Sequence, residues 1–284
     1  MKIVIIDDGY IGQAFKDIGT VISFPLSNAY RMDISKLWLR QFEDFDIIIN
    51  TFERATGSDY RDMWADNAMV VKDLSLYCWM TGKKFVQIST ADLYGNYFKW
   101  KDDIETSTKL DVGTDYRFTK LAAEKFCHEN DLILRIRNPF DNVVHPNNAI
   151  IKGYKAPKMY AWADTWSYLP DVVKAALKLI ELQEKGIWNV VNFECSSLFY
   201  NLKTAIGVPF FKAIDPIKED MPNFLLKEMD NERIHNDVNA EKLKQVFQMT
   251  PLDAAMIIAW QGIKSDFEAY FDEEKFLHKL ETVV

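Results

Sequence analysis

The sequence is poor in cysteine and histidine, the residues that most often build disulfides and zinc sites. It contains three cysteines, Cys78, Cys127 and Cys195, and four histidines among 284 residues. The cysteines are odd in number and lack the spacing of a metal motif, and the histidines are scattered. Neither a disulfide framework nor a zinc site is therefore expected. We expect reduced, mostly buried thiols, as in a cytoplasmic protein.

The chain also lacks a positive net charge and long apolar runs. The formal net charge is −8, and no basic stripe compensates for it, which disfavours nucleic acid as a partner. A local pocket can still hold an anionic small ligand. No apolar run reaches the length that spans a bilayer, and the N-terminus does not resemble a signal peptide, so no membrane partner is expected.

What the sequence does contain is enough apolar material for a large core, with 48% hydrophobic residues. In its first half, short apolar segments alternate with amphipathic ones, which is typical of parallel strands connected by helices that cover both faces of a sheet. This predicts an α/β fold with a Rossmann-like, doubly wound parallel sheet. The predicted strands lie at 2–6, 21–24, 46–50, 84–88 and 132–136, and the predicted helices at 35–45, 63–81 and from 116 onwards.

The alternation loosens after about residue 140. Helices are predicted at 171–184, 239–247 and 252–280, with one strand at 187–191. We expect this strand to be the sixth of the main sheet and much of the remainder to form a smaller C-terminal α/β lobe that binds substrate. Residues 1–165 would then be predominantly a dinucleotide-binding Rossmann domain, and residues 166–284 a mixed unit that contributes to both the sheet and the lobe.

Two glycines follow the first predicted strand. Gly9 and Gly12 match the second and third glycines of a G-x-x-G-x-x-G loop, which lets the backbone approach a pyrophosphate at a helix N-terminus. The first glycine is replaced by Ile6, and Asp7 and Asp8 bring two carboxylates close to the expected phosphates. From these residues alone, cofactor binding and a simple tight turn are equally open.

The segment after the second predicted strand does not decide between NAD and NADP. An acidic residue there favours NAD, whereas a nearby arginine accommodates the 2′-phosphate of NADP. This chain has Pro-Leu-Ser-Asn at 25–28, followed by Arg31. Both cofactors therefore remain open.

The most informative residues are Thr90, at the end of a predicted strand, and Tyr116 and Lys120, on a predicted helix. A tyrosine and a lysine four residues apart lie on one helix face, one turn apart. There the ammonium favours the phenolate, so the tyrosine can act as acid or base near neutral pH. The Thr90 hydroxyl is placed to hold a substrate oxygen. This set predicts hydride transfer on a sugar alcohol or ketone, the alternative being an ordinary surface tyrosine and lysine.

Two other pairs have the same spacing, which makes the spacing alone a weak signal. Tyr154 and Lys158 enclose Pro157, which argues against a helix there, and Tyr97 and Lys101 lie in a polar run typical of a loop. Only the Tyr116 pair opens an amphipathic helix.

Together these residues resemble the extended short-chain dehydrogenase/reductase family, in its NAD-dependent epimerase/dehydratase branch. The resemblance covers nearly the whole chain, and the correct order of its segments is its main strength. Ile6 and Phe52 depart from the family pattern. The segments that carry it are Gly9-Tyr10-Ile11-Gly12, Asp33-Ile34, Asn50-Thr51-Phe52, Asn67, Ser89-Thr90, Tyr116 with Lys120, 134–140, 167–173 and 186–190.

The resemblance implies NAD or NADP as cofactor and a nucleotide-sugar as substrate. It implies that the nicotinamide exchanges hydride with a sugar carbon while Tyr116 moves the hydroxyl proton, with Thr90 and Lys120 completing the catalytic set. It also implies a possible homodimer through helices 63–81 and 116–128. The implied cofactor-binding residues are Gly9, Tyr10, Ile11, Gly12, Asp33, Ile34, Thr51, Phe52, Asn67, Tyr116, Lys120, Pro139 and Phe140.

The reaction itself remains open at this stage. Reduction or epimerisation of a nucleotide-linked sugar is the leading hypothesis. A 4,6-dehydratase would use Asp92 to abstract a proton next to a transient ketone, although a loop cap or solvated carboxylate is the favoured interpretation of Asp92. A non-catalytic dinucleotide-binding sensor or scaffold is the third possibility, motivated by Ile6, Asp7, Asp8 and Phe52.

Overall fold

The computed structural model describes residues 1–7, 9–23, 39–54, 58–94, 110, 113–155, 163–193, 235–236 and 238–270. The expected adenine-contacting pair Asp33-Ile34, as well as Arg31, lies outside these residues. Within the described ranges, no helix is both long and apolar enough to cross a membrane.

Six parallel strands form the central sheet. The four inner strands are almost entirely buried because helices cover both faces, which explains their largely apolar sequences, whereas the two edge strands are partly exposed. Their bounds are β1 Ile3–Ile6, β2 Thr20–Ile22, β3 Ile47–Asn50, β4 Lys84–Thr90, β5 Leu132–Ile136 and β9 Gly186–Asn189. Across the sheet they lie in the order β2-β1-β3-β4-β5-β9.

One helix, over residues 60–81, changes from α to π and back to α along its length. A π-helical segment, Trp64–Met69, joins α2 to α3, so the helix predicted over 63–81 begins three residues earlier and is not uniformly α-helical. A short 3₁₀ turn, Ala91–Tyr94, follows β4. The α-helices are α1 Tyr10–Ala14, α2 Tyr60–Met63, α3 Val70–Thr81, α4 Asp115–Phe126, α5 Ala149–Lys155, α6 Leu169–Glu181, α7 Glu241–Lys244 and α8 Leu252–Tyr270.

Two small parallel sheets lie outside the central one. β6 (Pro139–Phe140) pairs with β8 (Ser167–Tyr168), and β7 (Ala163–Asp164) pairs with β10 (His235–Asn236). β8 and β10 lie in residues 166–284, the unit expected to contribute to the smaller lobe, whereas β6 and β7 precede it.

The core is divided between the two faces of the central sheet. Ile3 and Ile5 pack in one hydrophobic cluster with helix α6, whereas Val4 and Ile6 pack in another with helix α3. This alternation follows from the two-residue period of a strand.

The parallel, Rossmann-like sheet predicted from the sequence is confirmed, including β9 as its sixth strand. The strand predicted at 132–136 has the observed bounds. The last helix is described over Leu252–Tyr270, and residues 271–284 lie outside the described part.

Candidate active site

The carboxyl ends of β1, β3, β4 and β5 meet at one edge of the sheet, because these neighbouring strands are parallel. A cleft of about 410 Å³ opens there, which is a size suited to a small ligand. It is lined by Asp7, Gly9, Tyr10, Ile11, Thr51, Glu53, Ile88, Ser89, Thr90, Asp92, Tyr116, Ile136, Arg137, Asn138, Pro139, Asn147, Ala149 and Lys152.

Thr90 and Tyr116 reach the cleft from two different elements. Thr90 is the last residue of β4, and its hydroxyl oxygen accepts a hydrogen bond from the Asp92 amide at 3.1 Å. Tyr116 lies in the first turn of α4, which begins after Thr114, whose side chain accepts the amide hydrogen of Arg117. The cap fixes where the helix starts and therefore how Tyr116 faces the cleft.

Lys120 lies one turn beyond Tyr116 and is almost fully buried, with a 2% exposed side chain. Its Nζ donates hydrogen bonds to the Ile88 carbonyl at 3.2 Å and to Glu53 Oε2 at 3.0 Å. A buried ammonium requires such partners, since desolvation alone disfavours its charge.

The structure adds Glu53, which the sequence analysis missed. Its Oε2 also accepts a hydrogen bond from the Tyr116 hydroxyl at 3.0 Å, so a single carboxylate oxygen joins Tyr116 to Lys120. A signal was available in the sequence, because a charged residue three positions after a buried parallel strand lies at the edge where ligands bind.

This arrangement sets the protonation of the site. Burial raises the pKa of Tyr116 well above 10, and the charges of Glu53 and Asp92 raise it further, whereas the hydrogen bond with the Thr90 hydroxyl acts in the opposite direction. Burial also acts to raise the pKa of Glu53, but Lys120 outweighs it, so the pKa of Glu53 is lowered. Tyr116 is therefore a protonated phenol facing a carboxylate. Lys120 is hydrogen-bonded to Glu53 in this state, and its effect on the phenol stays a prediction.

Asp92 is held in a second charged group. Its Oδ1 lies 2.6 Å from Nη1 of Arg137, and Nε of Arg137 lies 2.7 Å from Asp164 Oδ1. Arg137 is 6% exposed. It lines the cleft, but its guanidinium is committed to two carboxylates, and their charges raise its pKa against the effect of burial.

The glycine loop departs from the expected pattern in an informative way. Ile6 replaces the first glycine and is a fully buried residue of β1. The positive φ instead falls on the next residue, Asp7, at 90°, a conformation that costs a non-glycine residue about 1–3 kcal/mol. A Cβ on Gly12 would lie 1.9 Å from the Asp7 carbonyl oxygen, and a Cβ on Gly9 would lie 2.6 Å from Asp7 Oδ2. Gly12 is thus required by the turn itself, whereas Gly9 lies beside a carboxylate.

Tyr10 links this loop to the segment after β6. Its hydroxyl donates to Asp141 Oδ1 at 2.9 Å, and its ring stacks on His145 with centroids 4.8 Å apart. Burial raises the pKa of both Tyr10 and Asp141. Tyr10 therefore closes one wall of the cleft by joining two distant parts of the chain.

Asn67 lies in the π-helical segment and supports the residues that follow β3. Its Oδ1 accepts the Arg54 amide at 2.6 Å, while its Nδ2 donates to the Arg54 carbonyl and to Thr119 Oγ1 at 3.0 and 3.2 Å. It thereby fixes the backbone next to Glu53 against helix α4. Asn67 itself is 2% exposed and acts on the cleft through these neighbours.

Some of the predicted cofactor-binding residues line the cleft and others do not. Gly9, Tyr10, Ile11, Thr51, Tyr116 and Pro139 line the cleft. Phe52 and Phe140 do not reach the wall formed by the described residues, because both are buried in hydrophobic clusters. Asp33 and Ile34 lie outside the described residues. No group of three or more His, Cys, Asp or Glu side chains suited to a metal occurs in the described ranges.

Comparison with known proteins confirms the resemblance and the fold. Residues 3–132 match the model of the NAD dependent epimerase/dehydratase family. The chain is similar to UDP-glucuronic acid 4-epimerase from Bacillus cereus in complex with NAD, with a TM-score of 0.66 and 16% identity, covering 94% of this chain and 98% of that one. No curated protein sequence matches it.

Two further solved structures resemble the chain. A dTDP-4-dehydrorhamnose reductase from Clostridium acetobutylicum has a TM-score of 0.60 and 20% identity, covering 73% of this chain and 81% of that one. RMD from Pseudomonas aeruginosa, complexed with NADPH, has a TM-score of 0.66 and 16% identity, covering 94% and 100%. At these identities the likeness shows the shared fold.

Proposed function

We propose that the protein carries out the NAD(P)-dependent reduction or epimerisation of a nucleotide-linked sugar, since residues 3–132 match the model of the NAD dependent epimerase/dehydratase family. The observation that carries the proposal is that Thr90 and Tyr116 line one cleft, where the Glu53 carboxylate joins Tyr116 to the buried Lys120.

The described residues fit a dinucleotide at its nicotinamide-ribose end. Tyr116 and Lys120 present an O–H and an N–H₃⁺ toward the same point, which suits a pair of ribose hydroxyls. The Gly9–Ile11 segment and Thr51 supply the adjoining wall. When bound, the nicotinamide supplies or accepts the hydride.

The chain's own groups provide the proton and the orientation. The protonated Tyr116 donates its proton to the oxygen of a sugar ketone as that oxygen gains negative charge, and Thr90 holds the same oxygen. Epimerisation requires the reverse transfer as well, so the proton must return to Tyr116. General acid–base catalysis of this kind contributes about 10²- to 10⁴-fold to the rate.

The nucleotide-sugar carries a diphosphate, and Lys152 is the cleft cation best placed to meet it. Lys152 is exposed and lines the cleft, whereas Arg137 is held by Asp92 and Asp164. The names of the structural relatives point to UDP- and dTDP-linked sugars as the first substrates to test.

The same ion pairs weigh against dehydration through Asp92. A base for that step must turn toward the substrate, but the Asp92 carboxylate is engaged by Arg137 at 2.6 Å. A non-catalytic, dinucleotide-binding role is the second candidate. It is favoured by the Glu53 carboxylate, which already occupies the hydrogen-bonding groups of Tyr116 and Lys120.

We also propose a homodimer through the helical face that contains α3 and α4. Leu76, Trp79 and Met80 lie three and four residues apart, so they share one face of α3, and they are 39, 59 and 70% exposed. Phe118 on α4 is also exposed and stacks on Trp64. A second copy of the chain would cover these apolar side chains.

The test is turnover with defined substrates. The protein is incubated with UDP-glucuronic acid and NAD, or with dTDP-4-dehydrorhamnose and NADPH, and products are identified by NMR. Tyr116→Phe should lose about 10²- to 10⁴-fold in rate, whereas Tyr60→Phe, on the exposed side of α2, should match the wild-type protein. Retained activity in Tyr116→Phe would refute the assigned acid. A 4-keto-6-deoxy product would favour dehydration.

A further inference from the structure

Glu53 is held at the centre of the site by two hydrogen bonds of equal length. Its Oε2 lies 3.0 Å from the Tyr116 hydroxyl and 3.0 Å from Lys120 Nζ. Its side chain is 32% exposed, whereas that of Lys120 is 2% exposed. The carboxylate thus lies at the boundary between solvent and the buried ammonium, on the path that a ligand must take to reach it.

The charges around Tyr116 come from four elements. Glu53 follows β3, Asp92 lies in the 3₁₀ turn after β4, Lys120 is on the same helix as Tyr116, and Lys152 on α5 acts on Glu53. The Thr90 hydroxyl at the end of β4 is the neutral neighbour.

These charges are paired in a definite way. Asp92 forms an ion pair with Arg137 at 2.6 Å. Glu53 is the carboxylate that accepts the hydrogen bond of the Tyr116 phenol. Glu53 is in turn matched by Lys120. Removing the Glu53 charge would leave Tyr116 near an ammonium without its counter-ion, which should lower the pKa of the phenol.

The backbone on both sides of Glu53 is anchored. The Phe52 amide donates to Asn50 Oδ1 at 3.3 Å, and the Arg54 amide donates to Asn67 Oδ1 at 2.6 Å. Phe52 is also buried. Release of Tyr116 and Lys120 therefore requires only rotation of the part-exposed Glu53 side chain, and no movement of the strand end.

We propose that Glu53 is a positioning residue that holds the Tyr116 phenol as a hydrogen-bond donor and must release both Tyr116 and Lys120 before a ligand hydroxyl binds to them. The second half of this statement rests on the proposed function. The protein without ligand then holds its proton on Tyr116, which is the state required to protonate a ketone during reduction. Ligand entry exchanges the carboxylate for hydroxyl groups and restores the influence of Lys120 on the phenol.

The first half is tested without any ligand. The protein is labelled with ¹³C at the tyrosine Cζ, and the Tyr116 signal is assigned by its loss in Tyr116→Phe. We expect the pKa of Tyr116 to fall by about 1–3 units in Glu53→Gln, and to remain unchanged in Glu181→Gln, a matched change on the exposed face of α6. An unchanged Tyr116 titration in Glu53→Gln would overturn the assignment.

The second half is tested by calorimetric titration of the wild-type protein, Glu53→Gln and Glu53→Ala with NAD and with NADP. Competition by Glu53 predicts at least about tenfold tighter binding in the variants, since a charge-assisted hydrogen bond no longer has to be broken. Equal or weaker binding in both variants would overturn it. Absence of binding by all three proteins would refute both the proposed function and the release of Tyr116 and Lys120 by Glu53. The result of the Tyr116 titration does not depend on ligand binding.

Discussion

Replacement of Glu124 by leucine should be among the most destabilising single changes in this protein. Glu124 on α4 accepts two hydrogen bonds from Arg135 on β5, at 2.9 Å to Oε1 and 2.6 Å to Oε2. Both side chains are at most 3% exposed. Ser89 Oγ also donates to Glu124 Oε1 at 2.6 Å, and Arg135 Nη1 donates to the Tyr94 hydroxyl at 2.9 Å. The pair therefore joins helix α4 to two central strands beside Thr90.

The magnitude follows from the charge that remains. Glu124→Leu leaves a guanidinium buried without a counter-ion, which costs about 3–5 kcal/mol. Replacing both partners, with Glu124→Leu and Arg135→Met, removes that charge and leaves mainly the Ser89 hydroxyl without its acceptor, at about 1–3 kcal/mol. The double variant should therefore be more stable than the single Glu124→Leu variant.

The assay is urea unfolding at pH 7, followed by tryptophan fluorescence, with stability taken from the transition midpoint and slope. The control is the exposed pair Lys178 and Glu181, 3.0 Å apart on α6, where Glu181→Leu should cost less than about 1 kcal/mol. A Glu124→Leu cost as small as that of the control, or a double variant that loses the sum of both single losses, would refute the reasoning.

Three further predictions concern the cleft and the helical face. Asp7→Asn should tighten NAD binding about fivefold, because it removes a repulsion of about 1 kcal/mol between a carboxylate and the phosphates beside Gly9. The control Asp17→Asn, at an exposed position, should leave the affinity measured by calorimetry unchanged. Equal affinities of Asp7→Asn and the wild-type protein would place the Asp7 carboxylate away from the phosphates. The pKa of Glu53 is lowered below its ordinary 4.5, so its stabilising contribution is full above that value and is lost as the pH falls through the lowered one. The melting temperatures of the wild-type protein and Glu53→Gln should differ at pH 7 and converge in acid, and a constant difference would contradict this. Replacing Trp79 and Met80 by serine should halve the mass measured by light scattering, and a monomeric wild-type protein would exclude the dimer.

Glu53 affects the protonation of Tyr116 in the cleft. A tyrosine and a lysine on one helix face suggest a phenolate stabilised by the ammonium, but burial and the charge of Glu53 both raise the pKa of Tyr116 and favour the protonated phenol. The charge of Glu53 thus adds to the effect of burial in keeping Tyr116 protonated before a ligand binds.

The sequence by itself determined the features that depend on local periodicity. The apolar segments at Ile3–Ile6, Ile47–Asn50 and Leu132–Ile136 are strands of the parallel sheet, because a continuous apolar run between amphipathic helices is stable only when both its faces are covered. The relation of Tyr116 to Lys120 was equally readable, since helical geometry places residues i and i+4 on one face.

Only the tertiary structure decided which groups meet across long separations. Glu53 lies 63 and 67 positions before Tyr116 and Lys120, and Arg137 lies 45 positions after Asp92. Their contacts depend on which strands are neighbours and where each strand ends, and the crossover connections set both. The same reason places Phe52 in the core and Glu53 in the cleft: one step along a chain leaving a strand reverses the side on which a side chain lies.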